Sequence, residues 1–161
     1  MAERWQADDV ETRERARTEA SELSWALREL NRAVAEIDHA LARRLAMRPS
    51  DYAAMGHVMS AQAPLGPAEL SVRLGISTGS ATELVDRLER AGHLERRRDS
   101  HDRRRVSLHA TQPAVELILR ELGPLFVDLD ELAGEFTPDE QATVARYLRL
   151  AARRMGAYAS S

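Results

Sequence analysis

The chain has 161 residues, of which 43% are apolar but only 4% aromatic, so leucine, valine and alanine must fill its core. It carries a net charge of −3 and no cysteine, which removes disulfides and thiolate chemistry together. No apolar run approaches the ~20 residues of a membrane-spanning helix, and the charged start lacks the apolar stretch of a secretory signal, so a single cytoplasmic domain is expected.

Residues 1–16 are polar and charged and either fray or extend the first helix; Trp5 among them suits a contact with a partner subunit. Residues 18–46 read as one long helix. Leu23, Leu27, Leu30, Val34, Ile37, Leu41 and Leu45 recur at spacings of 4, 3, 4, 3, 4 and 4, close to the heptad seam of a helix packed on another helix. The seam serves either one subunit's core alone or that core and a subunit interface together. Pro49-Ser50 ends this segment and Ser50-Asp51 begins the next helix, with Tyr52, Met55, Val58 and Met59 as its apolar side. Ala63-Pro64-Leu65 is too short for a helix and can add a small strand to a sheet.

The densest signals lie in 66–111. Gly66-Pro67 opens a helix, since proline tolerates the first helical position. Leu70 and Leu74 share its face, and Gly75 ends it as the residue best able to take a positive φ. Ser77 then caps a second helix, whose Ala81, Leu84, Val85 and Leu88 make one buried stripe. Gly79, Thr82, Glu83, Asp86, Arg87 and Arg90 point the other way, and Gly92 stops the helix. Small Ser71 lets the two helices cross closely, as a helix-turn-helix needs. Residues 93–97 and 105–109 then alternate with a period of two, the mark of a half-buried hairpin. Residues 96–105 hold six arginines and two aspartates, a net +4 on a chain whose remainder sums to −7. Positive charge concentrated on an otherwise acidic protein marks a phosphate-binding edge.

Beyond it, Thr111 can cap a helix carrying Val115, Ile118, Leu119, Leu122, Phe126, Leu129 and Leu132 along one face. Gly123-Pro124 falls inside this run and predicts a kink. Thr137-Pro138-Asp139-Glu140 is a capping-box helix start, and Val144, Leu148, Ala151 and Met155 line the last helix.

The run LGISTGSATELVDRLERAGHLERR followed by DSHDRRRVSLHAT resembles the MarR family of bacterial transcription regulators. Asp99, Asp102, Arg103, Arg104, Val106, Leu108 and Thr111 match the family's wing pattern in order. The resemblance implies a mainly α fold with a small β-hairpin wing: a winged helix-turn-helix flanked by N- and C-terminal dimerisation helices. The chain is then one domain over 1–161, with 18–46 and 112–157 dimerising and 50–111 forming the DNA-binding lobe. The expected function is sequence-specific binding of double-stranded DNA by a homodimer, as a repressor that a small molecule can release.

In such a protein the helix over 78–91 enters the major groove, where base edges carry a full donor–acceptor code. Thr78 and Ser80 sit at its positive end and suit a phosphate. Thr82 is placed for a thymine methyl or a base acceptor, and Arg87 for guanine or phosphate. Glu83 either accepts from a cytosine amino group or, with Asp86, pairs with Arg87 and Arg90 at i, i+4. Arg97 and Arg98 are expected on phosphates beside Arg103. By resemblance Arg104 enters an adjacent narrow minor groove, braced by Asp102; the alternative is a solvated basic loop that grips phosphates anywhere.

The family often binds aromatic or phenolic ligands in a cleft between dimer helices and winged unit. Ile37, Leu41, Tyr52, Met55 and Val58 are the candidate lining here, each also explicable as plain core. No nucleophile elbow, phosphate loop or HExxH stands out, so no enzyme is expected. The histidines at 39, 57, 93, 101 and 109 lack ligand spacing, so neither metal nor cofactor is expected. The competing reading is a winged-helix module that binds protein without specific DNA binding, and the arginine-rich wing argues against it.

Overall fold

The computed structural model describes residues 21–98 and 106–159. Its contacts divide the chain into two compact units, Met1–Ala114 and Val115–Ser161.

In the first unit the described residues open with α1 (Glu22–Arg44), capped where the Ser24 N–H donates to the Ser21 hydroxyl at 3.3 Å. The helix ends before Pro49. Ala46 takes a left-handed φ of 52°, with Ala46 N–H on the Arg43 carbonyl at 3.1 Å and Met47 N–H on Ala42 at 2.8 Å. These are the paired closing bonds of a Schellman turn, here without the usual glycine. Proline at the first position then opens both α2 (Pro49–Ser60) and α3 (Pro67–Leu74).

α4 (Thr78–Arg90) completes the helix-turn-helix. Gly75 (φ 63°) and Gly92 (φ 75°) close α3 and α4 as the sequence predicts, because a left-handed residue is needed at each turn. The Ser77 hydroxyl caps α4 by accepting from the Ser80 N–H at 3.1 Å. The stripe expected on α4 is the buried one: Ala81, Leu84, Val85 and Leu88 are each at most 3% exposed. Ser71 is buried where α3 packs on α4, its hydroxyl donating to the Ala68 carbonyl at 2.7 Å.

β1 (Leu94–Arg98) and β2 (Val106–Ala110) pair antiparallel, Leu94 opposite Ala110 and Arg98 opposite Val106. β1 stands one residue later than the spacing predicts, and β2 ends one residue later. His93 is the reason for the first, since its N–H closes α4 on the Leu88 carbonyl at 2.9 Å and leaves it outside the strand. Leu65 bridges to Leu108 as a third short edge, as expected of residues 63–65. Met55, Leu65, Leu70, Val85, Leu88, Leu94 and Leu108 form the closed centre of this unit. Each fully buried aliphatic side chain contributes roughly 1.5–3 kcal/mol, so these residues hold α4 and the hairpin on α2 and α3.

Thr111 ties the hairpin to the next helix. Its N–H donates to His93 O at 3.0 Å, its hydroxyl donates to Gly92 O at 2.7 Å, and the same hydroxyl accepts from Ala114 N–H at 3.4 Å. There α5 (Gln112–Ala133) begins. It runs unbroken through Pro124, whose ring nitrogen has no proton for the Arg120 carbonyl.

In the second unit α6 (Pro138–Ala159) follows α5 through residues 134–137. The capping box forms: Thr137 N–H and hydroxyl reach Glu140 at 2.8 and 2.7 Å, and Glu140 N–H returns to the Thr137 hydroxyl at 3.4 Å. Among the described residues of this unit only Ile118 is buried. Phe126, Val127, Leu129, Leu132, Val144 and Leu148 all remain exposed. No helix among the described residues is long and apolar enough to cross a membrane.

Candidate nucleic-acid interface

Two properties of α4 define the candidate interface. One side is sealed against the core, and the other presents Thr78, Gly79, Ser80, Thr82 and Glu83 to solvent. The Ser77 hydroxyl donates to Ser80 Oγ at 2.9 Å, which orients Ser80 at the helix start. Thr82 donates its hydroxyl proton to the Thr78 carbonyl at 2.9 Å. That proton is therefore used within the helix, and what Thr82 offers outward is a methyl group and an acceptor oxygen.

Past Glu83 the charged residues turn to protein partners. Arg87 Nε donates to Asp51 Oδ2 at 2.9 Å and Arg87 Nη2 to Asp51 Oδ1 at 2.6 Å, joining α4 to α2 across 36 positions. Asp51 is 6% exposed. The Arg87 guanidinium is held above its ordinary pKa, first by this hydrogen bond. Breaking a fully buried pair by removing one partner costs about 3–5 kcal/mol. The cost is smaller here, because 31% of the Arg87 side chain is still exposed.

Arg96 of β1 reaches both Asp86 and Glu89 of α4. Burial opposes its charge, but the hydrogen bonds and charges of those two carboxylates outweigh burial and raise its pKa. Arg90 Nε donates to the Asp86 carbonyl at 3.1 Å. The i, i+4 partners expected for Glu83 and Asp86 are thus corrected: Arg87 takes Asp51, and Asp86 takes Arg96. Asp51 and Arg96 carry no local sequence signal for these roles, beyond the rarity of a buried carboxylate without a cation.

On the wing, Arg97 is exposed and pairs with Glu95 of the same strand, Nε to Oε1 at 2.7 Å. Arg98 is exposed at the end of β1. Asp102, Arg103 and Arg104, with Asp99, lie outside the described residues. Since Arg96 and Arg97 both face carboxylates, the net +4 of residues 96–105 overstates the cationic charge free to meet a phosphate.

The candidate ligand residues do not converge. Leu41 and Met55 are 3% and 0% exposed and belong to the closed core, while Ile37 and Val58 are half-buried. Only Tyr52 of the five lines a cavity of about 370 Å³, formed with Asp38 and His39 of α1, Ala53 of α2, and Leu74 and Ile76 at the turn before α4. Burial, and then the charge of Asp38, raise the Tyr52 pKa. Of the periodic apolar positions of α1 and α2, Leu41 and Met55 point into the core, while Leu23, Leu30 and Val34 of the expected seam are exposed.

Residues 40–105 match the model of the MarR family. The HTH-type transcriptional regulator YcgE of Bacillus subtilis (strain 168) is 34% identical over 113 residues, 70% of this chain and 73% of that protein. The transcriptional repressor MprA of Escherichia coli (strain K12) is 34% identical over 83 residues, which cover 52% of this chain and 47% of MprA. The crystal structure of the transcriptional regulator Tm0710 from Thermotoga maritima superposes with a TM-score of 0.61 at 25% identity, covering 86% of this chain and 97% of that one.

Proposed function

The chain belongs to the MarR family of DNA-binding transcriptional regulators, and on that premise we propose that it is a homodimeric repressor of a pseudo-palindromic operator. The observation that carries this reading is α4: a helix sealed on one side and open on the other from Thr78 to Glu83. Placed in the major groove, Thr78 and Ser80 meet phosphate at the helix N-terminus, and Thr82 and Glu83 meet base edges. Dimerisation through 18–46 and 112–157 is supported by the apolar side chains that α5 and α6 leave exposed. The DNA-binding lobe is then 50–111, and the place of action the cytoplasm. Repression is supported by the likeness to MprA.

On the wing, Arg97, Arg98 and Arg103 grip phosphate and Arg104, braced by Asp102, enters the minor groove. The cavity at Tyr52 is the effector site of this proposal. Its apolar walls suit an aromatic ring, and Asp38 favours a neutral or cationic ring over a phenolate.

Selection from random duplex DNA tests the reading. The expected product is paired half-sites about 10–10.5 bp apart between centres, one helical turn. Recovery of single half-sites alone would defeat the dimeric operator. Arg104→Lys keeps the charge and loses the planar fork, so it is expected to lose preference for A·T-rich flanks while keeping non-specific binding.

A further inference from the structure

Arg87 is the arginine on the outer face of α4 with the best sequence claim to a base or phosphate. Its guanidinium fork is instead laid on both oxygens of Asp51, at 2.9 and 2.6 Å, and Asp51 is almost closed to water. A planar fork on a carboxylate fixes direction and rotation together, which a point charge does not. From the other side Asp86 and Glu89 of α4 receive Arg96 of β1. The helix is therefore clamped to α2 and to the wing through the charged residues of its C-terminal half, one turn beyond Thr82 and Glu83.

We propose that Asp51 and Arg87 are positioning residues: their two-bond clamp sets the rotation of α4 on α2 and so aims Thr82 and Glu83 at the bases, without Arg87 reading DNA itself. A helix with side chains is ~10–12 Å across, so a rotation of 10–20° carries a side-chain tip roughly 1–2 Å sideways, beyond the tolerance of a base contact. The raised pKa of Arg87 accords with a guanidinium engaged within the protein. The inference rests on α4 being the groove-facing helix.

The test uses the full-length chain, its selected duplex and single-base variants of that duplex. Asp51→Asn leaves every DNA-facing side chain in place. It is expected to lower discrimination between the selected and variant duplexes about tenfold, the scale of one base contact. Arg87→Lys, which cannot span both oxygens, is expected to do the same, and the Asp51→Asn/Arg87→Lys double variant no more than either. The log–log salt slope is expected to stay at the wild-type value, because no phosphate contact is lost.

Relaxed preference at one base pair with Arg87→Ala, while Asp51→Asn still discriminates, would make Arg87 a reader and overturn the clamp. A slope reduced by about 0.9 with Arg87→Ala and restored by Arg87→Lys would make it a phosphate contact. Lower melting temperatures with discrimination intact would leave only a stabilising pair. Arg87→Lys keeps the charge at a part-exposed site and gives a folded variant if Asp51→Asn does not. Wild-type protein that selects no sequence would overturn the groove-facing reading, and the clamp with it.

Discussion

Among the described residues, three close helices in the left-handed region, and one of them has a Cβ. Gly75, Gly92 and Ala46 each sit at a Schellman turn, with φ of 63°, 75° and 52°. The two glycines adopt it freely, whereas an L-residue there is about 1–2 kcal/mol strained. Ala46→Gly should therefore stabilise the fold, by ~0.5–1 kcal/mol after the greater freedom of unfolded glycine is subtracted. Urea denaturation checks this, and an unchanged or lower midpoint at equal slope would contradict it. A second single-residue expectation concerns Thr82. Its hydroxyl proton already goes to the Thr78 carbonyl, so outward the hydroxyl can only accept, and a contact to thymine falls to the methyl. Thr82→Val should keep a thymine preference, and Thr82→Ser should lose it, by roughly 1 kcal/mol at that position. Base preferences from a competition binding series decide between them.

At the scale of elements, side-chain hydrogen bonds fix the two helix starts that follow the wing. Thr111 holds the α4 exit, the hairpin and the α5 start with three hydrogen bonds, so the wing has a fixed root. The start of α6 is a capping box in which Glu140 is held below the ordinary carboxylate range, first by the Thr137 backbone N–H and then by its hydroxyl. A carboxyl whose folded pKa is depressed contributes stability that is present above its unfolded pKa and lost as pH falls through the folded value. Acidification through the carboxylate range should therefore loosen the α6 start, and Glu140→Gln should flatten that part of the pH dependence. An NMR titration of Glu140 and helical circular dichroism against pH are the measurements. A Glu140 that titrates at the value of an unfolded peptide would contradict the capping argument.

For the whole molecule, the second unit cannot account for its own stability. Its two helices leave Phe126 at 48%, Leu129 at 49% and Val144 at 49% exposed around one buried isoleucine. Helices in water depend on an apolar face being covered, and each such side chain newly covered gives up to ~1.5–3 kcal/mol. A second copy is expected to supply the cover. The chain should sediment as a dimer at micromolar concentration and melt at a temperature that rises with concentration. Leu129→Glu should weaken the dimer about tenfold or more on that burial scale. A well-folded wild-type monomer at micromolar concentration would rule out this dimer.

Much of this was legible in the sequence, because it is local. Gly75, Gly92, Ser77 and Thr137 announce helix ends through bonds to residues three to five positions away, and the stripe from Ala81 to Leu88 follows from helical period alone. The hairpin was legible too, with an error of one residue, since the alternation of its side chains does not reveal that His93 closes a helix. Tertiary structure alone decided which carboxylates meet Arg87 and Arg96. Arg87 has Glu83 one turn away, yet Asp51 takes it from 36 positions off. An exposed i, i+4 pair is worth a few tenths of a kcal/mol at most, whereas a carboxylate shut away from water must have a partner. Burial is a property of the folded chain, so the sequence could display both acids but not say which of them water would abandon.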